Sequence, residues 1–168
     1  MANFIEKLMT NPSSRAIEEL LQFVEFGKLP LHPDGDFLAY KKVDGNYKDI
    51  YTGKMDNSIG TVVQVPRSAV DDDPKQTCSY GLHVCSYEYL RHYGSDDLGG
   101  SVRIVLCKIN PRDVVAVPED YNNTKMRVCR YDVVDELKLH EDMLRDTHIY
   151  GDYEDEDEGE YEDEGEDE

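Results

Sequence analysis

TCSYGLHVCSYEYLRHY, residues 77–93, and VRIVLCKI, residues 102–109, together decide how the chain is read. Residues 81–85 alternate apolar and polar side chains, the two-residue period of a strand. Ser86 is an N-cap residue type standing directly before a short helix over 87–93, which Gly94 is suited to end in a left-handed conformation. After a polar, glycine-bearing turn at 95–100, VRIVLCKI is apolar at nearly every position, which predicts a strand buried on both faces. Strand, short helix and buried strand in this order predict the middle of the fold. Ser79, His83 and Tyr87 are the polar residues placed to line a ligand site there, with Tyr40 contributed by an earlier strand.

Toward the N-terminus, Phe4, Ile5, Leu8 and Met9 form an apolar stripe one or two helical turns long. Asn11-Pro12 reads as an N-cap followed by proline at the first helical position, where an N–H goes unused. Ile17, Leu20, Leu21 and Val24 then recur at helical spacing, with Gly27 closing the helix and Phe23 and Phe26 off its main face. The expected role of this helix is a lid over the core. Residues 29–35 form a proline-bearing connector. DFLAYKKV (36–43) is a strand with Phe37 and Ala39 on one side and Leu38 and Tyr40 on the other, and TVVQV (61–65) is a second. Downstream, 114–117 is a brief strand, KMRVCRYDVV (125–134) a long alternating one, and Asp135 the start of a final helix to Arg145. An N-terminal helix, many short strands and one central short helix specify an α+β fold with a mostly antiparallel sheet. The expected organisation is a single domain over 1–146 and an acidic tail over 147–168.

That tail is legible from charge. Residues 151–168 hold 13 of the 37 acidic side chains and no lysine or arginine. The other 150 residues therefore carry 24 acids against 18 bases, a net of −6 out of −19. A segment so charged and so poor in apolar residues buries too little surface to offset its chain entropy, so disorder is expected. Two roles are open to it: a polyanion competing for a basic, nucleic-acid-binding surface on a partner, or a solubilising appendage. The remainder lacks the basic excess that direct nucleic-acid binding needs. No segment reaches the roughly 18 apolar residues of a membrane span, and the first residues lack the pattern of a secretory signal. The four cysteines are accordingly read as reduced, buried thiols of an intracellular protein.

Several constellations test for chemistry. Cys78, His83 and Cys85, with Cys107 or Cys129 as a fourth ligand, suggest zinc. The spacing of paired thiolates is missing, however, and Cys107 and Cys129 sit in apolar strands, so no metal is expected. The aspartates at 44, 49 and 71–73 lack the alternating ligands and central glycine of a calcium loop and are read as solvated turns. No glycine-rich phosphate loop or nucleophile elbow occurs, and no cofactor is expected. Cys85 and His83 would serve as nucleophile and base only if the fold brought them together.

A strand opening Gly81-Leu-His83, a tyrosine-bearing helix and an apolar strand resemble the middle of ADP-ribosyltransferase domains, where such elements flank the NAD cleft. The likeness implies that Tyr87 corresponds loosely to the tyrosine that stacks on the ring. The ribose-activating acid of that superfamily has no counterpart here, so shared fold without turnover is the expectation. The same cleft leaves open a module that binds and sequesters a nucleotide.

A more extensive resemblance rests on NPSSRAIEEL (11–20), LPLHPDGDFLAYKKV (29–43), YKDIYTGKMDNSIG (47–60), VPRSAVDDDP (65–74), TCSYGLHVCSYEYL (77–90) and INPRDVVAVPEDYNNTKMRVCRYDVV (109–134). In this order they resemble the rapid-lysis RIIB family of tailed bacteriophages over some three-quarters of the chain. Longer members continue with a further C-terminal region, where this sequence carries its acidic segment. The resemblance implies an accessory phage protein in the host cytoplasm, in part peripheral at the inner membrane face. It implies action with a companion RIIA-like protein, or on host proteins, against host exclusion systems and on lysis timing. Contact with other proteins is the expected mode, with ADP-ribosyltransferase activity or nucleotide sequestration as the alternatives.

Overall fold

A computed structural model describes residues 1–27, 29–92, 102–119 and 125–137. Two helices come first, α1 (Ala2–Leu8) and α2 (Ser14–Gly27). Seven strands follow: β1 (Phe37–Asp44), β2 (Val62–Gln64), β3 (Leu82–Cys85), β4 (Val102–Ile109), β5 (Val114–Ala116), β6 (Lys125–Val128) and β7 (Arg130–Leu137). A short helix, α3 (Tyr87–His92), lies between β3 and β4. The strands make one sheet in the order β2-β7-β4-β1-β3-β6-β5, with every neighbouring pair antiparallel. This is the α+β architecture that the pattern of elements predicts.

The strand over 102–109 forms as expected, but β1 holds the middle of the sheet. β1 pairs with β4 along its whole length, from Phe37↔Ile109 to Asp44↔Val102, and with β3 at Tyr40↔Cys85. β4 is also not buried on both faces. Val105, Cys107 and Ile109 are fully buried on the inner face, whereas on the outer face Ile104 is buried but Val102, Leu106 and Lys108 are only half-buried. The inner face joins Phe37, Ala39, Val43, Val84, Met126 and Val133 to Phe4, Leu8, Leu20 and Phe23 of the two helices in one core. That core covers a single face of the strand, and the outer alternate positions other than Ile104 are left half-open.

α2 is turned relative to its expected stripe. Ala16, Leu20 and Phe23 are 0% exposed, while Leu21 is 42% exposed. Phe23 is therefore a core residue, because burying its ring gains more than burying Leu21. The side chain of Phe26 lies outside the described residues. The helix also starts two residues later than expected. Ser13 caps it, its Oγ accepting from the Ala16 N–H at 3.2 Å. Asn11 is instead a buried tie, donating through Nδ2 to the carbonyls of Pro111 at 3.0 Å and Val114 at 2.8 Å.

The expected long strand over 125–134 breaks at Cys129. β6 and β7, separated by that one residue, occupy the sixth and second places in the sheet, so the sheet curls strongly on itself. The Cys129 N–H donates to the Asp113 carbonyl and its own carbonyl accepts from the Val65 N–H, both at 2.9 Å, so the backbone stays paired around the corner. β7 then runs on as a strand where a helix from Asp135 was expected. Asp135 and Leu137 take ladder positions opposite Leu106 and Ile104, and partners in a sheet override weak helical patterning. The positions from 138 to 145, Gly94, the boundary at 146 and the acidic 147–168 segment lie outside the described residues. The compact unit is Met1–Lys138.

Candidate functional site

Alternation along β3, and the register of its neighbours, decide which side chains share the outer face. Tyr40 of β1 lies opposite Cys85, and His83 lies opposite Arg127 of β6. Every second residue points the same way, so Tyr40, Cys85, His83, Arg127 and Lys125 line this face together. α3 begins two residues after Cys85, and its Tyr87 sets its ring edge-on to Tyr40, with centroids 5.7 Å apart and planes at 67°. Lys125 stands 4.9 Å from the ring centroid of Tyr89. Of the four residues that the sequence nominates, Tyr40 and Tyr87 touch, and His83 shares their face. Ser79 is engaged elsewhere, its hydroxyl donating to the Asp71 carboxylate at 2.5 Å.

Burial sets the protonation states here. It pushes the Cys85 thiol up to about 12, and the sulfur donates to the Tyr40 carbonyl at 3.4 Å. Such a group is a thiol, not a thiolate nucleophile, at neutral pH. Burial also pulls His83 down to about 4, helped by the positive charges of Lys41, Arg127 and Lys125, so its ring is neutral. The Tyr40 phenol is raised by burial and then by Tyr87 and Cys85. Ser86 Oγ, beside them, is buried without a hydrogen-bond partner among the described residues.

Sequence reasoning missed the residue that organises this face. Arg127 is 0% exposed. Its guanidinium donates to three main-chain carbonyls of one loop: Asp71 at 2.8 Å, Gln76 at 2.5 Å and Asp73 at 2.7 Å. The Asp71 N–H closes the loop on the Tyr80 carbonyl at 2.8 Å. A planar fork of N–H donors suits three carbonyls spread around it in a way that an ammonium does not. The approach also explains Gly81, at φ +147°. A Cβ there would lie 2.8 Å from Val70 Cγ1 and 3.3 Å from Arg127 Cδ. The one sequence signal was an arginine between two apolar residues, Met126 and Val128, of a short strand.

A second polar cluster lies at the inner face. Lys41 donates to the His83 carbonyl at 2.8 Å and stands 5.9 Å from the Tyr131 ring centroid. The Tyr131 hydroxyl donates to Asn57 Oδ1, and Asn57 Nδ2 donates to the Met55 carbonyl at 3.1 Å. Asp49, expected in a solvated turn, is 7% exposed and organises its loop. It accepts from the Thr52 N–H and hydroxyl at 2.7 Å each, and from the N–H groups of Lys54 at 3.1 Å and Met55 at 2.7 Å. Burial alone would raise its carboxyl, but these donors together hold it below the usual range. The loop so fixed carries Ile50, 40% exposed, and Tyr51, 99% exposed.

Metal chemistry finds no grouping of three His, Cys, Asp or Glu side chains among the described residues. Cys78 is exposed, against the expectation of four buried thiols, whereas Cys85 on the outward side of β3, Cys107 on the inward side of β4 and Cys129 at the corner are buried. A polar depression of about 110 Å³ lies between Asp36, Lys108, Asn110, Arg112, Asp113, Arg130, Tyr131 and Asp132. Its cations are already paired, Lys108 with Asp36 at 3.6 Å, Arg112 with Asp113 at 3.6 Å and Arg130 with Asp132 at 3.6 Å. Among the described residues no helix is long and apolar enough to cross a membrane.

Comparison with known proteins adds to this geometry. The family described as Bacteriophage T4 protein rIIB matches residues 1–141. Protein rIIB of Enterobacteria phage T4 is 47% identical over 134 residues, which cover 80% of this chain and 42% of that protein. The matched part of this chain thus spans less than half the length of that relative. No solved structure matches, and the likeness to ADP-ribosyltransferases stays one of sequence pattern.

Proposed function

The chain belongs to the rIIB family of bacteriophage proteins, and from that membership we propose that it acts as an accessory protein of phage infection by contact with other proteins. In this reading it counters host exclusion and adjusts lysis timing from the host cytoplasm, with membrane contact no more than peripheral. Its partners are host proteins or a companion phage protein of the RIIA type.

The observation that carries this reading is where the fold places its hydrogen-bonding capacity. Arg127, Cys85 and Ser79 spend their hydrogen bonds inside the domain, and the loops held in this way display aromatic side chains to solvent. Tyr51 is 99% exposed at the tip of the loop that Asp49 fixes, and Tyr80 is 85% exposed at the end of the loop that Arg127 clamps. Exposed tyrosines on preorganised loops are efficient protein-contact residues, because little conformational entropy is lost when they bind. The acidic segment is a further contact element in this reading, competing for a basic surface on a partner.

Complementation tests it. Phage lacking this gene are supplied with wild-type protein, Tyr51→Ala, Tyr80→Ala or a chain truncated after Tyr150. The expected result is a normal melting temperature for every variant and a loss of lysis control for at least one. A photo-crosslinking residue at 51 or 80 should then capture a partner that the inactive variant does not. Modification of host proteins in the presence of NAD, abolished by Tyr87→Ala, would overturn the reading in favour of catalysis.

A further inference from the structure

The two edges of the sheet are finished differently. At the β5 edge, Val114, Val115 and Ala116 are all buried, and the next N–H, that of Val117, donates to Glu19 of α2 at 3.0 Å. Among the described residues the β2 edge has no such cover. Val62 is 50% exposed there, with Ile59 at 52% and Val134 at 41% beside it. Proteins guard an open edge with shortness, lysine, proline or a bulge, and of these Val62–Gln64 has only its length of three residues.

The hydrogen-bond pattern says which groups are on offer. The Val133 N–H donates to the Thr61 carbonyl, and the Val65 N–H to the Cys129 carbonyl, both at 2.9 Å, so residues 61 and 65 point toward β7. The two-residue period of a strand turns Val63 the same way. Val62 and Gln64 therefore direct one N–H and one carbonyl each away from the sheet, in which β2 is the terminal strand. Two residues spaced symmetrically about Val63 form an edge that fits itself. With a two-fold axis at Val63, Val62 of one copy and Gln64 of the other exchange both of their hydrogen bonds, four in all. β7 places Asp132 beside Val62 and Arg130 beside Gln64. A row across the junction would read Asp132, Val62, then Gln64 and Arg130 of the second copy, acid at one end and base at the other. Arg130 and Asp132 also pair within each chain at 3.6 Å. The edge is thus locally neutral on a chain whose net charge is −19.

We propose that the β2 edge is a self-association surface, on which a second copy of this chain adds its own β2 antiparallel and continues the sheet. An edge three residues long makes a weak, concentration-dependent dimer, with the exposed Ile59, Val62 and Val134 partly covered.

Sedimentation velocity on the full chain, from micromolar to millimolar concentration, tests this. The expected result is a monomer that shifts to a dimer as concentration rises. Val62→Lys, which charges the edge, and Gln64→Pro, which removes an outward N–H and leaves the bonds to β7 intact, should both stay monomeric at unchanged melting temperature. In a Cys78→Ser chain, Val62→Cys mixed with Gln64→Cys should give an oxidised cross-linked dimer that neither chain gives alone. A wild-type monomer at every concentration, a dimer that both edge variants retain, or no cross-link in the mixture would each overturn the proposal.

Discussion

Arg127 on β6 and Lys41 on β1 flank β3 from either side, one on each face of the sheet, and both take a cation out of water. Arg127 meets three carbonyls within 2.8 Å and is completely enclosed. Lys41 meets one carbonyl at 2.8 Å and a ring at 5.9 Å, and burial holds its amine below the usual lysine range. Burial of a charge is tolerable when hydrogen bonds replace the lost hydration, and the guanidinium finds that replacement more fully than the ammonium does. His83 stands between them, its ring opposite Arg127 and its carbonyl taken by Lys41. The difference teaches that Arg127 is a structural bolt, whereas Lys41 is a tolerated charge.

The largest expected effect comes from removing the bolt. Arg127→Met leaves three carbonyls facing an apolar chain and should cost about 3–5 kcal/mol, read by urea unfolding. Cleavage by protease within 71–80 should rise in parallel. Arg127→Lys should recover little, since one ammonium does not span the three acceptors. Full recovery by lysine would erase the contrast between the two sites.

Acid probes the space between the two cations. The folded state holds His83 near 4, below its ordinary 6.5, so the unfolded chain binds the proton more readily. Its contribution is present at neutral pH and is lost as pH falls from about 6.5 toward 4, at most about 3 kcal/mol. Stability of wild type minus that of His83→Gln, measured at pH 7 and pH 4.5, should fall on acidification. A flat difference would mean that neither burial nor the neighbouring cations hold the His83 ring neutral.

A smaller change tightens the fit around Arg127. Gly81→Ala puts a methyl against Val70 and the arginine stem in a backbone conformation that favours glycine, and about 1–3 kcal/mol should be lost. The smallest effect is expected at Lys41. Lys41→Met should change stability by less than about 1 kcal/mol, because an apolar chain of similar volume gives up one charged hydrogen bond and one desolvation penalty together. The folded pKa of Lys41 is lowered, so wild type should gain on this variant as pH rises toward the ordinary lysine value. A loss as large as that of Arg127→Met would show that the two cations are equivalent after all.

The candidate site was partly legible. Alternation through Gly81–Cys85 and a short helix after Ser86 placed His83 and Tyr87 on adjoining elements, and Tyr40 was assigned to the correct face of its strand. The Ser86 hydroxyl, without a hydrogen-bond partner among the described residues, does not cap that helix as expected. Their meeting depends on the register Tyr40↔Cys85, a pairing between residues 45 positions apart. Ser79 looked like part of the same cleft because it is near in sequence, but the loop turns it to Asp71. Arg127 and Lys41 looked like ordinary alternating polar positions. Their importance comes from what folds over them.

By itself the sequence determined the elements and their class: the helix, the short strands, the short helix after β3, the acidic composition of the last residues and membership of the rIIB family. These follow from period and composition, which act over a few residues, or from collinear likeness along the chain. Only the tertiary structure decided that β1 is central, that the chain turns a corner at Cys129, that Phe23 displaces Leu21 in the core, and that Arg127 holds the 71–80 loop. Each of those depends on which distant segments compete to pair with or cover a residue. Local pattern sets what a segment is able to become, and the free energy of burial and strand pairing across the whole chain selects its neighbours.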